Sequence, residues 1–567
     1  SPHCALPGKP VSESPFIEAC DVPEPSARID HEHRAFPIGS VPAPLNALIG
    51  RDAELTALQC LLARDEVRLV TLTGPGGVGK TRVALALAAR LDEARAGSVA
   101  FVPLAPVSDA ERVLSVVAEH LGIQESELSP LDALIAWLRD RRFLLVLDNF
   151  EQLMVAAPLV SALLLTCPGL QVLTTSRRRL GLSGEHEFPV PPLAVAASQH
   201  ATLEELARVP AIQLFVVRAQ AAAPSFALTE ANGLQIREIC QRLDGLPLAI
   251  ELAAPRTRLL SPAALLSRLS HRLQVLTGGP RDAPARLQTM RQAIAWSDDL
   301  LSPPAQALLR RLAVFAGGYT LEAADAISTT SAAPNEQRGH EHAQPTPLDL
   351  VSTLVDESLV HITEQANGER RFGILETVRE YALERLAEAS EEPETRRRHA
   401  LYYVNLVERA DPWQAAPQAW LDAVQTDHDN LRAALTWSMT NDPEVALRLS
   451  GGLWRFWSQR GHWTEGRGWL TQALAAGPTV APAIRAAALG GAGTLADEQG
   501  DFAHANRLLE ESLALGLQIG DERRAARALR SLGIVASNQS DFDHAIDRFS
   551  DALARLRVIQ DQDGIAR

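Results

Sequence analysis

The run Gly74-Pro75-Gly76-Gly77-Val78-Gly79-Lys80-Thr81 sets the strongest limit on what this chain can fold into. It reads G-x-x-x-x-G-K-T, follows an apolar strand pattern over 68–73 and opens a helical pattern over 80–92. Glycines without side chains let backbone N–H groups wrap phosphate oxygens, and a helix N-terminus adds positive potential. Lys80 reaches β- and γ-phosphates as a point charge, and the Thr81 hydroxyl suits Mg²⁺. Composition sharpens the point. Lysine occurs only at Lys9 and Lys80, while arginine supplies the rest of the 54 basic residues. A chain that uses arginine almost everywhere keeps a lysine here.

Around this loop strands and helices alternate. A helix over 52–63, strand 68–73, helix 80–92, strand 98–103, helices 109–121 and 130–140, strand 143–147, helix 152–166 and strand 170–174 predict a parallel sheet covered on both faces. A short strand at Glu187–Val190 runs into Pro191-Pro192 and closes the domain. Phe143-Leu144-Leu145-Val146-Leu147-Asp148 is a buried strand ending in a carboxylate, which suits a Mg²⁺ position with Asp148 holding the metal through a water. Read alone, Asp148 would equally cap the next helix. Asn149 stands where a second acid often serves as base. Glu151 is the nearest carboxylate and reads either as that base or as a first-turn helix acid. Arg177 ends the strand Leu173-Thr174-Thr175-Ser176 at the carboxyl edge of the sheet, where ligands of open parallel sheets lie, so it reads as a γ-phosphate sensor. Arg178 and Arg179 read as solvated charges.

The rest is mostly helical. Helices are expected over 204–223, 229–243, 246–254 and 261–272, with Gly245 and Pro247 breaking the register. More follow over 286–325, where Ser302 caps the helix after Pro303-Pro304. A polar loop over 328–347, a helix over 348–357, a hairpin of Leu359–Thr363 and Arg371–Ile374 around Asn367-Gly368, and a long helix from Leu375 outline a winged helix. Beyond 396 everything reads as helix, and seven of the nine tryptophans lie between Trp413 and Trp469. Gly500-Asp501-Phe502 returns as Ser540-Asp541-Phe542 after 40 residues, and Gly461-His462-Trp463 precedes it by 39. Leu489, Gly493, Ala496, Phe502, Ala505, Leu509 and Leu513 match Leu529, Gly533, Ala536, Phe542, Ala545, Phe549 and Leu553. This resembles a long form of the tetratricopeptide repeat. The surface at Trp454, Trp457, Trp463 and Trp469 reads as inter-repeat packing or as ligand contact. Ile559–Arg567 aligns with Ile519–Arg527, the start of another repeat, so the natural protein is expected to continue past Arg567.

Composition excludes several classes. At 567 residues, with 46% apolar and 22% charged residues, the chain is a set of folded domains, neither disordered nor fibrous. No apolar run has the length of a bilayer span, and Ser1–Pro10 has no signal-peptide pattern. Without an initiator Met, a processed chain or a fragment is expected. Residues 1–45 carry nine prolines and read as a linker, where His3, Cys4, Cys20, His31 and His33 lack metal-site spacing. Five scattered cysteines fit a reducing cytosol, neither a disulfide framework nor a zinc module. With a net charge of −15 the chain as a whole is a poor DNA binder, although a small basic subdomain would escape that average.

The order Ile49-Gly50-Arg51, Gly74 to Thr81, Leu145-Val146-Leu147-Asp148, Thr174-Thr175-Ser176-Arg177, Val190-Pro191-Pro192-Leu193 and Gly245-Leu246-Pro247-Leu248 resembles the NB-ARC type of STAND signalling ATPases. Within that class it is similar to the ATPase module of large bacterial LuxR-type transcriptional regulators, over about 48–395. The resemblance implies a multidomain α/β plus α protein. Its parts are a disordered linker 1–45, a P-loop NTPase domain 46–195 with a parallel sheet, a helical domain 196–275, a winged-helix domain 276–395 and a TPR-like α-solenoid 396–567, truncated at its end. It implies ATP or ADP with Mg²⁺, bound by Gly74, Pro75, Gly76, Gly77, Val78, Gly79, Lys80, Thr81 and Arg82. Ile49 and Arg51 would lie beside the adenine and Pro247 against base or ribose. Lys80, Asp148, Arg177 and Glu151 would form the catalytic group, and Thr81 and Asp148 would hold the metal. One departure stands out: Ile374-Leu375-Glu376 replaces the Met-His-Asp sensor common in the family, and His361 nearby reads as a strand residue.

The activity so implied is a cytoplasmic switch. ADP holds it closed, and ATP exchange opens or oligomerises it when an effector protein, peptide or small molecule meets the repeats. Slow hydrolysis resets it. Its output would be transcriptional, with DNA read by a domain outside 1–567 and no membrane involved. A fast ATPase, a repeat scaffold with structural nucleotide and direct DNA binding by the winged helix stay open as alternatives.

Overall fold

In a computed structural model of the chain, residues 41–42, 46–95, 97–107, 109–123, 129–195, 201–279, 284, 287–328, 345–365, 368–409 and 417–566 are described. Most of the 1–45 linker, most of the 328–347 loop, Asn367 and Trp413 lie outside them. The described residues form two compact units. The first runs to Ser302 and takes in Ser352–Val360 and Leu375–Tyr381; the second comprises Pro303–Val351, His361–Ile374 and Ala382–Arg567.

In the first unit five strands, β1 (Leu69–Thr73), β2 (Val99–Pro103), β3 (Phe143–Asp148), β4 (Leu170–Thr175) and β5 (Glu185–Pro189), form one parallel sheet in the order β2-β3-β4-β1-β5. Every residue of β1 and β3 is buried, which is why these strands read as mostly apolar runs. Their polar exceptions are satisfied across the sheet: Thr174 donates to Thr71 Oγ1 at 2.8 Å, and Thr71 donates to Glu185 at 2.6 Å. Helices α1 (Asp52–Leu62), α2 (Lys80–Arg95), α3 (Val113–His120), α4 (Pro130–Leu138) and α5 (Ala157–Thr166) accompany the strands.

Three expectations shift here. The 152–166 helix begins as a 3₁₀ turn over Phe150–Ala156, and α5 starts only where Pro158 fits the first turn of a helix. The 109–121 helix likewise opens with the 3₁₀ turn Ala110–Arg112, capped by Asp109. The last strand is Glu185–Pro189 rather than Glu187–Val190, because pairing with β1 starts at Leu69 opposite Glu185.

The helical part of this unit holds α6 (Leu203–Ala207), α7 (Pro210–Ala222), α8 (Gly233–Arg242), α9 (Pro247–Ala253), α10 (Pro262–Arg268), α11 (Arg272–Val275) and α12 (Met290–Asp299). The single helix expected over 204–223 is two, since Pro210 has no N–H to continue α6 and instead opens α7. Between α8 and α9 the backbone turns left-handed at Asp244 (φ 55°) and Gly245 (φ 64°). A side chain at Gly245 would sit 2.2 Å from the Leu193 carbonyl, so only glycine fits there.

In the second unit α13 (Pro303–Leu312) and α14 (Leu321–Ser328) lead to α15 (Pro347–Asp356), the hairpin of β6 (Val360–Glu364) and β7 (Arg370–Ile374), and α16 (Glu376–Glu388). α15 and α16 give residues to both units. Tyr319 and Phe372 exchange two backbone hydrogen bonds of 2.8 Å, an isolated antiparallel bridge beside the wing. His361 packs over Gly373, whose lack of a side chain makes room for the ring. Helices α17 (Glu392–Glu408), α18 (Gln418–Thr426), α19 (His428–Asn441), α20 (Pro443–Arg460), α21 (Trp463–Ala476), α22 (Pro482–Glu498), α23 (Phe502–Gln518), α24 (Glu522–Asn538), α25 (Phe542–Val558) and α26 (Gln562–Ala566) complete it.

The 40-residue repeat is a helical hairpin, α22–α23 and then α24–α25. Matched glycines sit at the crossings, where a side chain at Gly493 would meet Leu509 at 2.6 Å and one at Gly533 would meet Phe549 at 2.7 Å. Gly500 and Ser540 end the first helices in the left-handed conformation, and Asp501 and Asp541 cap the second. Of the four tryptophans singled out, Trp457 is buried under Gly466 and Trp454 packs on Gly491, whereas Trp463 keeps 39% exposure.

Candidate functional site

Strand order brings the site together. β1 lies between β4 and β5, and β3 lies next to β4, so the ends of β1, β3 and β4 converge at one edge. The loop after β1 has positive φ at Gly74 (141°), Gly77 (80°) and Gly79 (98°), a backbone that only glycine adopts without strain. Lys80 opens α2 and folds back over this loop, its Nζ donating to the carbonyls of Gly74 (2.6 Å) and Pro75 (3.2 Å). Thr81 donates to Asp148 Oδ1 at 2.8 Å, and Thr175 donates to the same oxygen at 2.6 Å. Burial raises the Asp148 pKa, while both hydroxyls and the Lys80 charge pull it down. Asn149, left-handed at φ 68°, donates its N–H to Thr175. A lysine, a glycine-lined loop, a hydroxyl and a buried carboxylate within hydrogen-bond reach of that hydroxyl suit a polyphosphate with Mg²⁺, Thr81 and Asp148 being the metal-side pair.

Arg177 is the hub of the opposite wall. Its Nε lies 3.3 Å from Glu151 Oε1, both side chains being 5% exposed. The guanidinium also contacts Ser297 on α12, and Nη2 lies 3.9 Å from where a side chain at Gly76 would begin. Ser358 donates to the Arg177 carbonyl at 2.6 Å. Glu151 is therefore held by Arg177, and its second oxygen, also buried, accepts no hydrogen bond from the described residues. Arg178, read as a solvated charge, instead lies 3.2 Å from the buried Glu357, while Arg179 is exposed. Sequence distance hid this partner: nothing local to Arg178 points to a carboxylate in the turn just after α15.

The three short motifs meet behind the loop. Arg51, 3% exposed, donates to the carbonyls of Val78 (3.2 Å) and Pro191 (2.6 Å) and pairs with Glu54 at 2.6 Å. A side chain at the adjoining Gly50 would meet Pro210 at 2.3 Å, which wedges Ile49-Gly50-Arg51 between the loop and α7. Leu193 N–H donates to the Gly245 carbonyl at 2.9 Å, and Leu248 N–H to the Gly77 carbonyl at 3.1 Å. Pro247, the first residue of α9, thus stands beside the loop. Arg82 turns away from it, reaching Glu251 on α9 (2.9 Å) and the Ala47 carbonyl (3.0 Å).

The start of α16 docks on the same unit through residues that sequence reasoning missed. Asp244 accepts from the Thr377 N–H at 3.2 Å, Glu380 accepts from the N–H groups of Arg272 (2.8 Å) and Leu273 (3.2 Å), and Tyr381 donates to Asp298 at 3.1 Å. Burial pushes Asp244 up to about 6 against the two backbone donors that pull it down. The folded state therefore favours the protonated acid. Its stability falls as pH rises from the ordinary 3.8 through about 6 and stays lower above. Asp244→Asn, which keeps the acceptor and tolerates φ above zero, is expected to be more stable than the unsubstituted chain at pH 7.5 by up to about 2 kcal/mol after solvent screening. The difference should vanish toward pH 4. Thermal melts at both pH values check this, and a variant weaker at pH 7.5 would show that the charge is wanted.

Residues 63–188 match the AAA domain family and 301–387 the winged helix-turn-helix domain family. The AAA family implies nucleotide binding, typically with Mg²⁺. Among the described residues no helix is long and apolar enough to cross a membrane. Over 421 residues the chain is 38% identical to Rv0890c of Mycobacterium tuberculosis, a protein named as an HTH-type transcriptional regulator; the match covers 74% of this chain and 45% of that one. The chain thus spans about half the length of the curated relatives it matches first. Solved structures are more distant. A STAND protein with a tetratricopeptide repeat sensor from Pyrococcus horikoshii is 14% identical, covering 92% of this chain and 79% of that one at a TM-score of 0.25. Cdc6p of Pyrobaculum aerophilum is 16% identical, covering 61% and 97% at a TM-score of 0.27. Nearer in length is the uncharacterized protein Rv0894 of M. tuberculosis, 39% identical over 349 residues, which are 61% of this chain and 83% of that protein. The chain belongs to the family of Rv0894, with an AAA-type domain followed by a winged helix-turn-helix domain.

Proposed function

We propose that this chain is an ATP/ADP-operated regulatory switch whose output is the control of transcription. The observation that carries the reading is that the phosphate loop is gripped from outside the sheet. Leu248 of α9 donates to Gly77, and a side chain at Gly76 would face the Ala293 carbonyl of α12 at 3.5 Å. A ligand on Gly74 to Thr81 therefore bears on the packing of α9 and α12. A switch needs only that nucleotide prefer one packing, typically by ~1–3 kcal/mol.

Within this reading Lys80 leaves the loop carbonyls for the β- and γ-phosphates, and Thr81 and Asp148 turn to Mg²⁺. Arg177, beside Gly76, senses the γ-phosphate at the expense of its contacts with Glu151 and Ser297. Pro247, Ile49 and Arg51 flank the base, and Arg82 links α2 to α9. Hydrolysis is slow because Glu151, the candidate base, is engaged by Arg177 and Asn149 stands where a second acid would. The helical hairpins after 396, tetratricopeptide-like in pattern, receive an effector, and activation brings oligomerisation. The transcriptional output rests on the regulator-type relatives, with DNA reached through a domain outside 1–567. The reading belongs with NB-ARC and LuxR-type regulators in the cytoplasm.

Denaturing the purified chain and chromatographing what it releases tests this. About one ADP per chain is expected, with exchange for ATP as the slow step. An empty site, or one that turns ATP over rapidly, would overturn the ADP-held switch in favour of an ordinary ATPase.

A further inference from the structure

We propose that Glu357 and Ser358, in the turn that follows α15, position Arg177 and Arg178 and so report the γ-phosphate to α15. Their contacts lie within the first unit, which takes in Ser352–Val360, while the start of α15 belongs to the second. The proposal names the regulation of the nucleotide site and rests on the switch reading above. Both residues act through the arginines, as positioning residues.

Charge carries the first part. Arg177 and Arg178 are successive residues after β4, and each meets a buried carboxylate from a different stretch of chain. Arg177 Nε lies 3.3 Å from Glu151 Oε1, and Arg178 Nε lies 3.2 Å from Glu357 Oε1. The second oxygens of both acids are buried and accept no hydrogen bond from the described residues, so each acid depends on its arginine. Burial pushes the Glu357 pKa up, Arg178 and Arg177 pull it down, and the Glu151 charge pushes it up again. The four groups therefore feel one another. When Arg177 turns to a γ-phosphate, Glu151 is left buried without its cation, which is strongly unfavourable. Arg178, 39% exposed, is the member of the group with room to turn. Serving Glu151, it gives up Glu357, whose carboxylate then reaches water only by moving the end of α15.

The backbone carries the second. Ser358 is left-handed at φ 56°. Helices often end on one such residue, and glycine is usual there because it adopts that conformation without strain. Serine also takes it at Ser390 and Ser540, so the conformation by itself marks nothing. What singles out Ser358 is the partner of its hydroxyl, the Arg177 carbonyl at 2.6 Å, 181 residues away in sequence. One turn thus holds the backbone of Arg177 and the side chain of Arg178. The N–H groups of Glu357, Ser358 and Leu359 close the same turn on the carbonyls of Thr353 (2.9 Å), Val355 (2.9 Å) and Leu354 (3.0 Å). A shift of Glu357 would open these three bonds, and their amides are its gauge.

The test is hydrogen exchange of the full chain with ADP and with the β,γ-imido analogue of ATP, beside titrations that give both affinities. The amides of Glu357, Ser358 and Leu359 are expected to exchange about tenfold faster with the analogue than with ADP. Glu357→Gln leaves no buried carboxylate for Arg178 to abandon, and the exposed Arg178 is hydrated instead, so the fold is kept. It should raise affinity for the analogue relative to ADP about tenfold and erase the exchange difference. Ser358→Gly, which suits the left-handed backbone, should keep the fold yet shift the same ratio about threefold toward the analogue. A serine with a merely structural role would leave that ratio unmoved. The proposal is overturned if Glu357→Gln leaves the ratio within about twofold of the unsubstituted chain. It is also overturned, with the switch left standing, if the three amides ignore the γ-phosphate while that of Leu248, bonded to Gly77, responds. A chain that takes up neither nucleotide ends both readings. A response at the end of α15 with none at Leu248 would uphold this relay and discard the grip of α9 on the loop.

Discussion

Lys80→Ala is expected to bind nucleotide about a hundredfold more weakly than the unsubstituted chain, with no loss of folded structure. The side chain is not part of the sheet core. Its ammonium rests on two loop carbonyls, Gly74 and Pro75, which water would serve equally well once it is gone. A polyphosphate has no such substitute, since charge-assisted hydrogen bonds to phosphate are among the strongest a side chain makes. The sharper variant is Lys80→Arg. Arginine supplies nearly all the other positive charge of this chain, so a demand for charge alone would have been met by it. A planar guanidinium is too broad to lie inside a loop whose lysine nitrogen sits 2.6 Å from one carbonyl and 3.2 Å from another. Lys80→Arg should therefore lose most of the affinity too. Equilibrium titration with a fluorescent ADP, beside a circular dichroism melt, checks both variants. Affinity within about threefold of the unsubstituted chain in Lys80→Ala would remove nucleotide from this loop.

What could be seen in the sequence was what local pattern dictates. The buried strands β1, β3 and β4 announce themselves as apolar runs, and the glycine loop between β1 and α2 carries its own backbone requirement. The repeat was legible because Gly493 and Gly533 are imposed by helix crossings, so spacing carries geometry. Pairings across long separations were not legible. Arg177 and Ser297 lie 120 residues apart, and the segment containing Thr377 reaches Asp244 across 133. A charged side chain near a sheet edge reads alike whether it meets water or a buried glutamate, so Arg178 passed for a surface charge. The start of α5 and the break before α7 were misjudged for one reason, that a proline opening a helix was read as lying within it.

Ile49-Gly50-Arg51, Val190 to Leu193 and Gly245 to Leu248 are joined to one another and to the phosphate loop by hydrogen bonds. Arg51 donates to Val78 and Pro191, Leu193 to Gly245, and Leu248 to Gly77, so the loop's rear is one hydrogen-bonded wall. Backbone carbonyls do most of the accepting. Substitutions here are therefore expected to act on loop shape before they act on ligand contact.

The buried pair Glu151–Arg177 yields the second large effect. Arg177→Met should destabilise the first unit by about 3–5 kcal/mol at neutral pH, because it leaves a carboxylate buried with no cation to meet it. Glu151→Gln should cost less, since Arg177 keeps its contact with Ser297. The double variant Glu151→Leu with Arg177→Met should recover most of the loss, as apolar replacement of a buried ion pair is often neutral or better. Because a chain of two units need not unfold in one step, the readout is hydrogen exchange of the β3 and β4 amides rather than a single melting temperature. The nucleotide then separates structure from sensing. If Arg177 answers the γ-phosphate, the double variant, though refolded, binds ADP as before and no longer distinguishes ATP from it. A double variant that is stable and still distinguishes the two would leave Arg177 a structural ion and move the sensor elsewhere.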